Sequence, residues 1–177
     1  SVSNAPCVAP QQEDHVATKF SNTDHYSATP AQIMAMLSDP DYAPGKYQDL
    51  GDVSFTVENH EPNDGGLNVT VDREVASNMP DLAKKVLGET TKMKQTEVWR
   101  ADGDGYVGNM TIEASPVVIA VNNTIRPAGD GSDWTSDFEV KASVPLVGGK
   151  IEKMVVEETK QSLVKELAFN ESWLANH

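Results

Sequence analysis

The chain has 177 residues, 38% of them hydrophobic and 6% aromatic, which suits one β-rich domain with a buried core. Its 27 acidic and 14 basic residues give a formal net charge of −13, which would repel phosphate backbones and excludes nucleic acid as a partner. The sequence contains no apolar run of the roughly 18 residues that a membrane-spanning helix needs.

Residues 1–14 show no apolar periodicity and are rich in Gln, Asn and Pro, so they are predicted to form a disordered leader or the remnant of a tag. Their single cysteine, Cys7, is the only one in the sequence and cannot form an intrachain disulfide. Residues 15–22 alternate between apolar and polar side chains. This alternation predicts the first strand of the domain.

Two short segments follow the first strand. A helix is predicted over residues 28–38, where Thr29 is a suitable N-cap, Pro30 fits the first helical position and Gln32 can complete a capping box. Residues 41–50 are expected to form either a second short helix or an ordered loop.

Six further strands are predicted, at residues 52–58, 67–76, 91–100, 106–115, 117–126 and 134–144. Turn sequences of hairpin length, such as NDGG at residues 63–66, separate most of them and indicate antiparallel pairing. A short amphipathic helix at residues 79–87 interrupts the series. A long helix over residues 150–167 is expected to be followed by a C-terminal tail at residues 168–177.

One face of the predicted strands is apolar, so it must be covered, and the long helix is the element that can cover it. On the second predicted strand, Val53, Phe55 and Val57 share one face. The inner face of the sheet is expected to contain Phe55, Val57, Val69, Val71, Trp99, Ile112 and Phe138.

Three segments resemble a known family: TPAQIMAMLSD at residues 29–39, QTEVW at residues 95–99 and VPLVGGKIEK at residues 144–153. The chain resembles the helix-grip proteins of the START/Bet v 1-like (SRPBCC) superfamily and, within it, the uncharacterised bacterial DUF2505 family. The likeness covers about residues 15–167, which are expected to form the ligand-binding domain.

The resemblance implies an α+β fold in which a curved antiparallel sheet of six or seven strands wraps around the long C-terminal helix. It also implies a cavity between sheet and helix. Members of the superfamily bind lipids, sterols or polyketides, and some cyclise or hydrolyse them. No catalytic motif comes with the DUF2505 resemblance.

The long helix carries polar residues on the face expected to turn inward. Glu158 and Ser162 follow Ile151 and Met154 at helical spacing. Two interpretations stay open: the helix tilts away and both polar groups are solvated, or they face a cavity. In a cavity they would orient a ligand, or Glu158 would act as an acid–base group.

A second polar pair is predicted on the strands. Arg73 falls in step with the apolar residues of its strand, and Glu97 belongs to the more plausible inner set, because the alternative face would bury Lys94 and Arg100. Arg73 and Glu97 are therefore expected to meet across the sheet. They form either a structural ion pair at the cavity rim or an anchor for a polar ligand head.

The sequence predicts a protein that binds or transports an apolar small molecule, in keeping with the resemblance. The alternatives are a cyclase- or hydrolase-like enzyme that uses Glu158, and a structural or partner-binding domain with a filled interior. No set of catalytic residues, metal ligands or cofactor-binding residues can be assembled. The candidate ligand-binding residues are Phe55, Val71, Arg73, Gln95, Glu97, Trp99, Met110, Met154, Glu158 and Ser162.

Five methionines are candidates for an adaptable lining or for ordinary core packing: Met34, Met36, Met93, Met110 and Met154. The helix at residues 79–87 is predicted either to pack on the sheet edge or to act as a lid that docks weakly to a membrane. The net charge opposes strong adsorption to anionic bilayers, so at most transient membrane contact is expected. The sequence favours a cytoplasmic location and does not define the oligomeric state.

Overall fold

The computed structural model describes residues 16–177, so the predicted leader at residues 1–14 lies outside the described residues. The described part contains the strands β1 (Thr18–Tyr26), β2 (Ser54–Asn63), β3 (Gly66–Ala76), β4 (Thr90–Asp102), β5 (Gly105–Ala114), β6 (Val117–Ala128) and β7 (Gly131–Ala142). Its helices are α1 (Pro30–Ser38), α2 (Tyr42–Asp49), α3 (Asp81–Leu87) and α4 (Gly148–Asn176).

The strands form one antiparallel sheet in the order β1-β7-β6-β5-β4-β3-β2. Strands β2 to β7 pair with their neighbours in sequence, whereas β1 pairs with β7, from Thr18 opposite Val140 to Tyr26 opposite Ser132. The inner face of this sheet packs against α4. The predicted helix-grip fold, with seven strands and short helices after the first, is confirmed.

The start of α1 forms as its sequence predicts. The Thr29 hydroxyl accepts a hydrogen bond from the Gln32 amide at 3.2 Å, and the Gln32 side chain accepts one from the Thr29 amide at 2.9 Å. This reciprocal capping box satisfies two backbone donors that a helix start leaves unpaired. The segment predicted as a helix or a loop forms α2.

Two apolar clusters lie between the sheet and the helices. The first surrounds α1 and α2 and contains Val69, Val71 and Trp99, with Phe55 and Val57 packed against it. The second lies under the first half of α4 and contains Phe138, with Ile112 packed against it. All seven predicted inner residues are therefore in or against the core.

The second predicted strand differs from the sequence-based expectation at both ends. It begins at Ser54, so Val53 precedes the strand and is 56% exposed instead of sharing the inner face with Phe55 and Val57. It continues to Asn63 through a break in register between Val57 and Asn59. Such a bulge changes which side chains face inward, and alternation alone does not reveal it.

The helix α4 continues beyond its predicted end at Leu167. It extends to Asn176, and the segment predicted as a tail is its last part. Phe169 and Trp173 stand one helical turn apart and pack on Tyr42 of α2, with ring centroids 5.8 and 5.7 Å away. The partial burial of these two rings explains why the helix continues.

The helix α3 packs against the second apolar cluster through Leu82, Val86 and Leu87, and Met79, just before the helix, packs there too. Ala83 is fully buried. The helix also contacts α4, and its predicted role as a lid that docks weakly to a membrane stays a prediction. Within residues 16–177, no helix combines the length and the apolar character that crossing a bilayer requires.

Candidate functional site

A cavity of about 220 Å³ lies between the inner face of the sheet and α4. Its two ends differ in polarity. The end beside α3 is apolar and includes Met79, Leu87, Met93, Ile112, Val117 and Val155. The end beside α2 and the close of β1 is polar and includes Asn22, Asp24, Lys46, Glu97, Asn123 and Glu166.

Arg73 is one of the charged residues lining this cavity, and its partner is Asp52. The Arg73 Nε and Nη2 atoms donate to the two carboxylate oxygens of Asp52 at 2.7 and 2.8 Å. The Asp52 side chain is fully enclosed and that of Arg73 is 12% exposed, so each buried charge is stabilised by the other. Burial opposes the charge of the guanidinium, but the Asp52 carboxylate raises the pKa of Arg73.

The predicted pairing of Arg73 with Glu97 is therefore wrong. Arg73 lies opposite Met93 on β4, whereas Glu97 lies opposite Val69, two inward positions further along the sheet. Gln95 occupies the inward position between them. Arg73 instead stacks on the Tyr47 ring, with its guanidinium carbon 4.3 Å from the ring centroid.

Gln95 links the Arg73 pair to Glu97. Its amide nitrogen donates to the Tyr47 hydroxyl at 3.0 Å and to a Glu97 carboxylate oxygen at 2.9 Å. The Arg73 Nη1 atom approaches the Gln95 oxygen at 3.5 Å. This chain of polar contacts holds the Glu97 carboxylate at the cavity wall.

Lys46, on α2, is the second cationic side chain of the cavity wall and is 6% exposed. Its ammonium nitrogen lies 3.6 Å from Glu166 on α4 and 4.9 Å from the centroid of the Tyr47 ring. Burial opposes this charge. The nearby Tyr42, Tyr47, Glu166 and Glu97 nevertheless raise the pKa of Lys46 well above its ordinary value, so Lys46 is a cation at neutral pH.

Asn170, near the end of α4, ties the polar end of the cavity together. Its side-chain oxygen accepts a hydrogen bond from the Tyr42 hydroxyl at 2.5 Å, and its nitrogen donates to the Tyr26 hydroxyl at 3.1 Å. Burial raises the pKa of both tyrosines, which keeps them neutral. Asn170 thus joins α4 to α2 and β1.

Tryptophan side chains form part of the cavity wall next to these polar groups. The rings of Trp99 and Trp134 meet edge to face, with centroids 5.5 Å apart. Trp134 Nε1 and the Ser136 hydroxyl both donate to the side-chain oxygen of Asn123, at 3.1 and 2.6 Å. An indole nitrogen can only donate, so this contact fixes which end of the Asn123 amide is the oxygen.

Gly108 on β5 makes room for the Trp99 ring. A Cβ atom placed on Gly108 would lie 2.5 Å from the nearest atoms of this ring. We expect Gly108→Ala to displace the ring and to lower the free energy of unfolding by about 1–3 kcal/mol, measured by urea denaturation. The matched control is Asn109→Ala on the exposed face of the same strand, with an expected change within about 0.5 kcal/mol. Equal stability of the two variants would contradict the close packing of Trp99 on Gly108.

Seven of the ten predicted site residues line the cavity: Arg73, Gln95, Glu97, Trp99, Met110, Glu158 and Ser162. The three others lie elsewhere. Phe55 packs on the Tyr47 ring, and Val71 is 1% exposed within the first apolar cluster. Met154 lies one residue before Val155, the first residue of α4 that lines the cavity. The ligand-binding role of the seven stays a prediction.

The candidate methionines divide in the same way. Met93 and Met110 line the cavity, as does Met79, which was not among the candidates. Met34 and Met36 belong to the first apolar cluster on α1, where they serve ordinary core packing.

Sequence reasoning missed several polar residues of the site. Two of them are Lys46, in a segment predicted as a helix or loop, and Asn170, in the predicted tail. The two others, Asn22 and Asp24, lie at and just beyond the predicted end of the first strand. A signal was present for Asn170, because Tyr42 and Tyr26 are buried aromatic residues whose hydroxyls need partners. For Lys46 no local pattern distinguishes it from an exposed helix lysine.

Glu152, not Glu158, is the fully buried carboxylate of α4. Its Oε2 atom accepts a hydrogen bond from the Ala142 amide at 2.9 Å, and its Oε1 atom accepts one from the Thr18 hydroxyl at 2.8 Å. Strand β1 begins opposite Val140, so it does not reach Ala142, and the Glu152 carboxylate satisfies that amide instead. This contact fixes the first turns of α4 on β1 and β7.

Family and sequence comparisons agree on what this chain is similar to. A family model described as "Protein of unknown function (DUF2505)" matches residues 21–174. Uncharacterised proteins of Mycobacterium tuberculosis and Mycobacterium bovis are 24% identical to it over 131 residues, which cover 70% of this chain and 75% of each relative.

Solved structures share its architecture at low identity. The protein TTHA0849 from Thermus thermophilus aligns with a TM-score of 0.65 at 13% identity, over 90% of this chain and 98% of that one. Ara h 8.0201 aligns with a TM-score of 0.60 at 12% identity, over 91% and 99%. A START superfamily protein from Mycobacterium smegmatis gives 0.55 at 14% identity, over 89% and 97%. The chain therefore belongs to the DUF2505 family, and its fold is the START/Bet v 1-like helix grip.

Proposed function

We propose that the protein binds or carries a small, mainly apolar molecule in the cavity between the sheet and α4. The observation that supports this most directly is the cavity itself, which is apolar at the end beside α3 and polar at the end beside α2. Concave sites with apolar walls and a few fixed polar groups are the usual form of small-molecule sites. The same helix-grip architecture underlies the superfamily to which the chain is similar.

The volume of the cavity limits the size of the ligand. A dry apolar cavity of about 150 Å³ holds a benzene molecule, whereas sites for larger ligands run from about 300 to 1,000 Å³. At about 220 Å³, this cavity suits a compound with one or two rings or a short chain. Within the predicted class of lipids, sterols and polyketide-like molecules, the small aromatic members fit best.

Two alternatives from the sequence remain distinguishable. The enzyme alternative needs turnover of an ester or polyketide-like substrate that disappears in Glu158→Gln. The alternative of a domain with a filled interior needs a cavity that admits no ligand. The open cavity supports ligand binding over a filled interior, and a binding experiment separates the two.

Indole is a suitable first probe, because it is uncharged, has two fused rings and matches the size of the cavity. We expect saturable binding at one site per chain in an NMR titration of the isotope-labelled protein. The shifted resonances should come from residues that line the cavity, such as Trp99, Met110 and Ile112.

A pair of tryptophan substitutions tests where the probe binds. Met110→Trp fills the cavity from its wall and should weaken indole binding at least about tenfold, since the site loses the volume that the ligand needs. Val118→Trp places the same side chain at a position that is 44% exposed and should leave binding unchanged. Absence of saturable binding, or equal binding by both variants, would contradict the proposed function.

A further inference from the structure

One inward-facing residue of β6 is polar. Burial alternates along this strand, and its inward residues are Val117, Ile119, Val121, Asn123 and Ile125. Asn123 is 5% exposed and lines the cavity, so an amide stands in the wall where the strand otherwise carries branched apolar side chains. Burying an amide costs free energy unless its polar atoms are hydrogen-bonded. The oxygen and the nitrogen of this amide meet that requirement differently.

The Asn123 side-chain oxygen accepts two hydrogen bonds, from Trp134 Nε1 at 3.1 Å and from the Ser136 hydroxyl at 2.6 Å. Because an indole nitrogen can only donate, these contacts prevent the amide from exchanging its two ends. The Asn123 nitrogen has no hydrogen-bond partner among residues 16–177. Both of its N–H bonds are therefore left for another acceptor.

The Asn123 nitrogen is open to the cavity. Every fully buried side-chain nitrogen or oxygen atom of the described residues has a hydrogen-bond partner, so the partnerless Asn123 nitrogen is not fully buried. Asn123 points to the inner side of the sheet and lines the cavity, so its small exposed surface belongs to the cavity wall. Such a donor needs an acceptor from outside the protein, which is either water or a ligand.

An aromatic wall adjoins this donor. Asn123 lies opposite Gly108 on β5, and Gly108 lies opposite Trp99 on β4. The Trp99 ring lies over Gly108, where an added Cβ atom would come within 2.5 Å of it. Neighbouring strands are about 4.8 Å apart, so the ring covers the strand next to Asn123. A ligand ring packed on Trp99 would place a polar substituent near the Asn123 amide.

Lys46 is a second donor at the polar end of the cavity. Its side chain is 8% exposed, and its ion-pair partner Glu166 lies 3.6 Å away, beyond hydrogen-bond distance. No described residue accepts a hydrogen bond from its ammonium group. A ligand oxygen could accept from either donor, whereas a ligand ammonium group could accept from neither.

We propose that the ligand is a neutral, mainly apolar compound whose carbonyl oxygen accepts a hydrogen bond from the Asn123 amide nitrogen, while its apolar body packs on Trp99 and extends toward α3. This inference rests on the proposed function and adds the polar group of the ligand to it. A neutral oxygen suits the site better than an anion, because carboxylates outnumber cations in the lining: Asp24, Glu97, Glu158 and Glu166 against Lys46 and Arg73.

The ketone 1-indanone and its parent hydrocarbon indane test this contact, because they share a fused-ring skeleton close to indole in size and differ by one carbonyl oxygen. In NMR spectra of the isotope-labelled full chain, the side-chain NH₂ resonances of Asn123 should shift on binding of 1-indanone and shift much less with indane. This measurement uses the unaltered protein, so it does not depend on the stability of a variant. Indane-1-carboxylate, an anion with the same skeleton, should bind at least about tenfold more weakly than 1-indanone.

Asn123→Leu removes the donor and nearly keeps the size of the side chain. It should lower the affinity for 1-indanone about tenfold relative to that for indane, because the carbonyl is then buried without a donor. Comparing each ligand between the two proteins cancels the different solubility of the ligands in water. The matched control is Asn122→Leu, the same substitution at the adjacent, exposed position of β6, which should leave the ratio of the two affinities unchanged.

The possible failures are distinguishable. An unchanged affinity ratio in Asn123→Leu, or an equal response of the Asn123 NH₂ resonances to both ligands, would overturn the carbonyl contact and leave the apolar binding function standing. Tighter binding of indane-1-carboxylate than of 1-indanone would overturn the neutral character of the ligand. Failure of indane, 1-indanone and indole to bind would overturn both the carbonyl contact and the proposed function.

Discussion

An Asp52→Ala variant is expected to lose about 3–5 kcal/mol of unfolding free energy, because it leaves the Arg73 guanidinium buried without its carboxylate. For a domain of this size the melting temperature should fall by roughly 6–20 °C. The Asp52 side chain is fully enclosed and makes both of its hydrogen bonds to Arg73, so water cannot replace the lost partner cheaply. Urea denaturation and thermal melts measure the loss.

A double variant and an exposed pair serve as controls for this prediction. Replacing both partners, with Asp52→Leu and Arg73→Met, should recover most of the stability, since no unpaired charge then remains. Glu58→Ala breaks the pair between Lys94 and Glu58, whose side chains are 50% and 41% exposed, and should cost about 0–1 kcal/mol. A loss in Asp52→Ala as small as that in Glu58→Ala would contradict the coupling of the buried pair.

Glu152→Gln is expected to lower the free energy of unfolding by about 2 kcal/mol, which corresponds to a fall in melting temperature of roughly 4–8 °C. The fully buried carboxylate accepts hydrogen bonds from the Ala142 amide and the Thr18 hydroxyl through different oxygens. A glutamine can keep both contacts, with its oxygen on the Ala142 amide and its NH₂ group donating to the Thr18 hydroxyl, but both bonds then lose the strength that the carboxylate charge gives them.

The matched control for Glu152→Gln is Glu157→Gln on the same helix. It removes the same charge from an exposed position and should change stability by less than about 0.5 kcal/mol. If the two variants melted at the same temperature, the Glu152 carboxylate would not be the group that holds α4 on β1 and β7.

The inner face of β4 illustrates what could be predicted from the sequence. The prediction that Gln95, Glu97 and Trp99 face inward followed from the cost of burying Lys94 and Arg100. In the structure, these three residues line the cavity. The capping box of α1 followed from spacing alone. Both predictions depend on interactions over a few residues, where the periods of strands and helices apply directly.

The partner of Arg73 could not be predicted in this way. Asp52 lies in the connection between α2 and β2, and its contact with Arg73 depends on how α2 places that connection over the sheet. The sequence also could not indicate which carboxylate of α4 is fully buried, because Glu152 and Glu158 both lie on helix faces that carry apolar residues. Only the position at which β1 begins decides that Glu152 meets an unpaired amide.

The position of β1 at the sheet edge beside β7 has a consequence for the order of folding. Strands β2 to β7 are joined in succession by hairpins or other short connections, so their pairings form between segments close in sequence. The pairing of Thr18 with Val140 joins segments that are far apart, and the entropy cost of closing such a loop makes it slow. On a ribosome, β1 would leave the exit tunnel before the other six strands of the sheet and would wait for its partner until β7 had been made.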